Sequence, residues 1–150
     1  MASLNLIMEQ SEYIKNRVDN QINWMESKSR SNQQRYKILK IVEIVSAALI
    51  PFLIGFHNVH NIFPILTGLL GVLIVLLNGI QQLYKYQEKW IIYRTTIEAL
   101  SREKMLFVNR AAIYTDENAF QRFVENIEAL LANENKVWLN TVKQKTEQAN

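Results

Sequence analysis

The chain has 150 residues, with 17 Lys+Arg against 14 Asp+Glu and a mean hydropathy of −0.09. Plentiful Leu, Ile, Val and aromatic residues exclude a disordered chain. The absence of Cys excludes a disulfide scaffold, a thiolate zinc site and a thiol nucleophile. A net charge of +3 is too small to argue for nucleic acid, and none is expected as a partner.

Residues 9–37 read as an amphipathic helix within an N-terminal cytoplasmic segment, 1–37. Ile14, Val18, Ile22 and Met25 recur at spacings of four, four and three, which is one helical face. No Pro or Gly precedes Pro51, so this helix is expected to run unbroken into the apolar residues beyond position 37.

Residues 41–83 carry a single charge, Glu43. Two apolar runs lie there and predict two membrane spans, 38–56 and 62–83. The second would reach about 33 Å as a helix, enough for a hydrocarbon core of about 30 Å. The first would reach about 28 Å. The competing reading is a pair of core helices in a soluble bundle, but the flanks are short and polar for wrapping two apolar helices. Pro51 should bend the first span or free a carbonyl, whereas Pro64 sits in the first turn of the second, where proline is tolerated. The loop between them, 57–61, reads HNVHN. His57 and His60 could contribute to a metal or proton site, but no nearby carboxylate completes one, so a polar turn is expected and no metal.

Lys28, Arg30, Arg35, Lys37 and Lys40 precede the first span. Lys85, Lys89 and Arg94 follow the second, and the loop has no Lys or Arg. The positive-inside rule makes this a multi-pass cell-membrane protein with the loop outside and both termini cytoplasmic.

On a helical wheel, Thr67, Gly71, Ile74, Asn78, Gln81, Gln82, Lys85 and Lys89 share one face of the second span. Two readings compete. Either several copies form a ring and this stripe lines a hydrated path, with Lys85 and Lys89 at its cytoplasmic mouth, or Gly68 and Gly71 let helices approach and the amides bond between them. Glu43, one turn inside the boundary, either places a carboxylate ring near the cytoplasmic mouth or pairs with Lys40 or Lys85.

The cytoplasmic region 84–150 is expected to hold helices over about 84–112 and 116–142. The first continues the second span without a stop signal. Leu83, Tyr86, Trp90, Tyr93, Ile97, Leu100 and Phe107 keep a three-four alternation along it, with Lys104 interrupting it. Thr115 is the expected N-cap of the last helix. Its stripe is Phe120, Phe123 or Val124, Ile127, Leu130 or Leu131, and Val137 or Trp138. The predicted fold is an all-α membrane protein, a two-helix transmembrane hairpin whose helices extend into a cytoplasmic bundle. No nucleotide-binding, metalloprotease or serine-hydrolase motif is present, so no enzyme activity and no cofactor are expected.

From Glu88 onward, EKWIIYRTTIEALSREKMLF, NRAAIYTDENAF and FVENIEALLANENKVWL resemble a bacterial family of two-transmembrane proteins. That family is similar to the SLATT domains (SMODS and SLOG-associating two-transmembrane effectors). The resemblance rests on Lys89-Trp90, Arg94, Glu98-Ala99-Leu100, Glu103, Tyr114, Glu128, Glu134 and Trp138, after a hairpin. It implies a pore or channel in the bacterial inner membrane, a gated effector of a conflict or stress system opened by a partner protein or nucleotide signal. No fused sensor domain is expected. The leading expectation is a homo-oligomeric pore passing ions across the lipid bilayer. The alternative is a membrane-anchored helical module that docks a cytoplasmic partner without conducting.

Overall fold

Among the described residues five α-helices account for the regular structure, joined at one place by a π-helical turn: α1 (Ala2–Tyr13), the π turn (Ile14–Asp19), α2 (Asn20–Ile54), α3 (Ile62–Tyr84), α4 (Tyr86–Val108) and α5 (Ala119–Glu147). The computed structural model describes residues 2–55 and 62–147, with side chains over 8–55 and 62–134. The expected loop 57–61, with His57 and His60, and the side chains of Val137 and Trp138 lie outside the described residues. Every regular element among the described residues is helical.

The chain divides into two compact units. One joins Met1–Ser29 to Ile91–Asn150, and the other is Arg30–Trp90.

The first unit has an aromatic-rich core. Val18, Met25, Ile97, Leu100, Tyr114, Phe123, Ile127 and Leu131 are buried together, with Ile14, Ile22, Tyr93 and Phe107 packed around them. Apart from Tyr114, which sits in the turn before α5, these positions follow the three-four spacing of each segment, which places them on one helical face. Phe107 stacks on Phe123 at 4.4 Å between centroids, and Tyr114 meets Phe107 edge-on at 5.7 Å.

α4 ends without glycine. Arg110, at φ 48°, takes the left-handed conformation just past its end. The Ala111 N–H donates to the Leu106 carbonyl and the Arg110 N–H to the Phe107 carbonyl. That is a Schellman closure, usually built on glycine. α5 begins at Ala119, three residues later than a Thr115 cap would start it. Asp116 shapes the turn ahead of the helix, accepting the Asn118 N–H at 3.1 Å on its side chain. Its ion pair with Arg122 holds the carboxyl below the usual range.

In the Arg30–Trp90 unit, α3 runs antiparallel to the C-terminal part of α2. At one end Gln81 bonds Glu43. At the other, Leu53 and Ile54 of α2 line an apolar cavity of about 260 Å³ with Phe63, Pro64 and Thr67 of α3. Among the described residues one helical stretch, beginning at Ile62, is long and apolar enough to cross a membrane. The first apolar run does not meet the same measure of length and composition. The last eighteen residues of α2 hold Lys37, Lys40 and Glu43, and the helix stops at Ile54. Pro51 stands inside α2, which continues past it, although proline has no N–H to give the carbonyl of Ala47.

The expected unbroken helix past the second apolar run is interrupted at Lys85, at φ 47°. Helical bonds persist on either side: the Lys85 N–H reaches the Gln81 carbonyl at 3.0 Å, and the Lys89 N–H reaches the Lys85 carbonyl at 3.1 Å. In a regular helix, residues two apart point to opposite sides. The reversal at Lys85 brings Tyr84 and Tyr86 together instead, stacked at 5.3 Å and 5° from parallel.

Candidate functional site

The two helices of the Arg30–Trp90 unit carry their polar groups inward. On α2, Lys40, Glu43, Ser46, Ile50 and Leu53 are, with Leu39, the less exposed residues of the apolar run. They recur at three and four because 3.6 residues make a turn. On α3 the matching face is Phe63, Thr67, Leu70, Gly71, Ile74, Leu77, Asn78 and Gln81. The opposite faces are apolar and exposed, with Ile41, Ile44, Val45 and Phe52 on α2 and Ile65, Leu69, Val72 and Val75 on α3.

Glu43 is the centre of this polar face. Lys40, one turn back, donates from Nζ to Oε1 at 3.0 Å and to Oε2 at 3.2 Å. Gln81 donates from Nε2 to Oε2 at 2.9 Å across the two helices. The Glu43 side chain retains 14% exposure, against 42% for Lys40. The carboxylate is thus shielded while its lysine reaches outward. Lys85, the other candidate partner, pairs with Glu88 at 3.1 Å.

Two further polar residues of the stripe turn onto their own helix. Thr67 donates from Oγ1 to the Pro64 carbonyl at 2.8 Å, and Asn78 from Nδ2 to the Ile74 carbonyl at 3.2 Å. Gly71 and Ile74 share the inward face. Gln82 is exposed and Lys89 half-buried. A methyl built on Gly68 or Gly71 would meet nothing within 4 Å, so neither glycine is there to admit a close neighbour in the protomer. Sequence reasoning passed over Ser46, which is buried. Its spacing of three from Glu43 was the available signal.

The other unit holds two polar clusters. At the π turn, Arg17 grips Glu128 with both oxygens engaged, Nε to Oε1 at 2.9 Å and Nη2 to Oε2 at 2.8 Å. The Tyr13 hydroxyl donates to the same carboxylate at 3.2 Å. The guanidinium holds the Glu128 carboxyl below its usual range, and burial beside that carboxylate pushes the Tyr13 hydroxyl up to about 12. In the second cluster the buried Tyr114 hydroxyl donates to Glu103 and accepts from Asn126 at 2.8 Å. Burial raises the Tyr114 hydroxyl, and burial alone raises the Glu134 carboxyl. The first cluster ties segments far apart in sequence, the second ties α4 and α5 to the turn between them, and together they account for Glu103, Tyr114 and Glu128, on which the family resemblance partly rests.

No curated protein and no solved structure matches the chain. A family model does match, over residues 20–121, spanning all of α2, α3 and α4 and the start of α5. On that match the chain belongs to the family described as protein of unknown function DUF4231.

Proposed function

We propose that the chain is a membrane-embedded two-span hairpin, with both termini cytoplasmic, that assembles with copies of itself into an ion-conducting pore. The observation that carries this reading is the inward polar face on helices whose outer faces are apolar. Water-soluble helices are arranged the other way, and lipid tolerates polar side chains only where protein or water receives them. A hydrophobic anchor needs neither a carboxylate nor amides at this depth, and groups of that kind mark ion paths. The resemblance to SLATT domains points the same way and adds a gated effector role in bacterial conflict or stress.

A second reading has its own support. Glu43, Thr67, Asn78 and Gln81 all find hydrogen-bond partners within one protomer. A membrane-anchored module that docks a cytoplasmic partner would need nothing more from its hairpin.

Flux from ion-loaded liposomes tests the two. Conductance above that of empty liposomes, altered by Asn78→Leu or Gln82→Leu, supports the pore. A monomeric protein that gives no flux with or without candidate triggers supports the anchor.

A further inference from the structure

The Arg30–Trp90 unit gathers its charge at one end. Arg35, Lys37 and Lys40 on α2, with Lys85 and Lys89 on the other arm of the hairpin, lie beyond the Glu43–Gln81 bridge, away from the end where Leu53 meets Phe63. Two of these cations are committed, Lys40 to Glu43 and Lys85 to Glu88. Arg35, Lys37 and Lys89 form no ion pair among the described residues. Arg35 and Lys37 are exposed, and within two turns the helix changes to the exposed apolar residues Ile38 and Ile41. On the other arm Leu83 is exposed and apolar, and the stacked Tyr84–Tyr86 pair comes directly after it. Aromatic rings with a polar tip settle at the headgroup level of a bilayer. Cations at the same level sit where lipid phosphates are.

We infer that this end of the hairpin is an anionic-phospholipid site, in which Arg35, Lys37 and Lys89 take headgroup phosphates beside the Tyr84–Tyr86 ledge. The inference rests on the membrane reading above. The charge complementarity is to an anionic leaflet surface, because the unpaired cations stand at the edge of an apolar band rather than around a closed pocket. A zwitterionic headgroup offers each cation no net charge, so the site discriminates between lipids of the same chain length.

The test uses the full chain reconstituted in vesicles of phosphatidylcholine mixed with phosphatidylglycerol, with trace spin-labelled lipid of one headgroup or the other. The motionally restricted component of the spectrum reports lipid held against the protein. The expected result is a preference for phosphatidylglycerol of about fivefold at low salt, the ratio that roughly one kcal/mol gives for a headgroup held by a single basic residue. High salt should shrink it by screening, as should R35Q/K37Q/K89Q. Equal association of the two lipids in the wild-type chain overturns the inference while leaving the membrane reading intact. So does a preference that salt and the triple variant leave unchanged. No restricted component with either label overturns both.

Discussion

Gln81 donates its side-chain amide to Glu43 at 2.9 Å, joining two helices at positions 38 residues apart in the sequence. Lys40 serves the same carboxylate from within its own helix. Glu43→Leu strands the Gln81 amide in an apolar setting, and Gln81→Leu removes a donor from the carboxylate. Each single variant should lower the thermal midpoint in detergent, and the double variant should recover part of the loss, because an unmet polar group costs more than an absent one. Additive losses would show that the two side chains do not depend on each other.

Phe123 is fully buried and stacked on Phe107, with Tyr13 and Tyr114 edge-on at 6.3 Å and 6.1 Å. Phe123→Ala should cost about 3–5 kcal/mol of stability through lost burial and the cavity left behind. Denaturant unfolding followed by helical circular dichroism measures this. A loss under about 0.5 kcal/mol, the scale of a surface change, would place the ring outside the core.

Ala112 adopts φ 56° in the turn between α4 and α5, a conformation that favours glycine. Ala112→Gly should stabilise the protein by about 0.5–1 kcal/mol, the relief of a left-handed alanine less the added freedom of the unfolded chain. A raised unfolding midpoint with unchanged denaturant slope is the expected readout.

The Arg17–Glu128–Tyr13 cluster predicts stability limits at both ends of the pH scale. The Glu128 carboxyl lies below its unfolded value in the folded chain, so its contribution is present above the ordinary carboxylate range. It is lost as pH falls through the folded value. The Tyr13 hydroxyl is raised from 10.0 to about 12, so its contribution is present below the lower value and is lost as pH rises through the upper one. Glu128→Gln should flatten the acid side and weaken the alkaline side together, read as thermal midpoint against pH. An unchanged acid side would remove Glu128 from the account.

The helical faces were legible in the sequence because burial follows the helical repeat. Val18, Met25, Ile97, Leu100, Phe123 and Ile127 are buried where the three-four spacing puts them. The stripe of Thr67, Gly71, Ile74, Asn78 and Gln81 was legible as a face. What that face meets was not, because a wheel shows direction and not neighbours. It meets α2 of the same protomer. The break at Lys85 and the left-handed Arg110 and Ala112 left no mark either, since neither Lys, Arg nor Ala signals positive φ as Gly or Asn would. The π turn at Ile14–Asp19 is equally silent, because one added residue per turn disturbs no residue type.

The unit built from Met1–Ser29 and Ile91–Asn150 is discontinuous in the chain, and that sets an order on its synthesis. Val18 and Met25 emerge from the ribosome long before Phe123 and Ile127, their neighbours in the core. At about 5–20 residues per second, the N-terminal segment waits several seconds with its apolar face uncovered. The hairpin between the two pieces has all its partners at hand by Trp90 and can form in the interval. The bundle therefore closes last, and its first segment depends on its last for a place to fold.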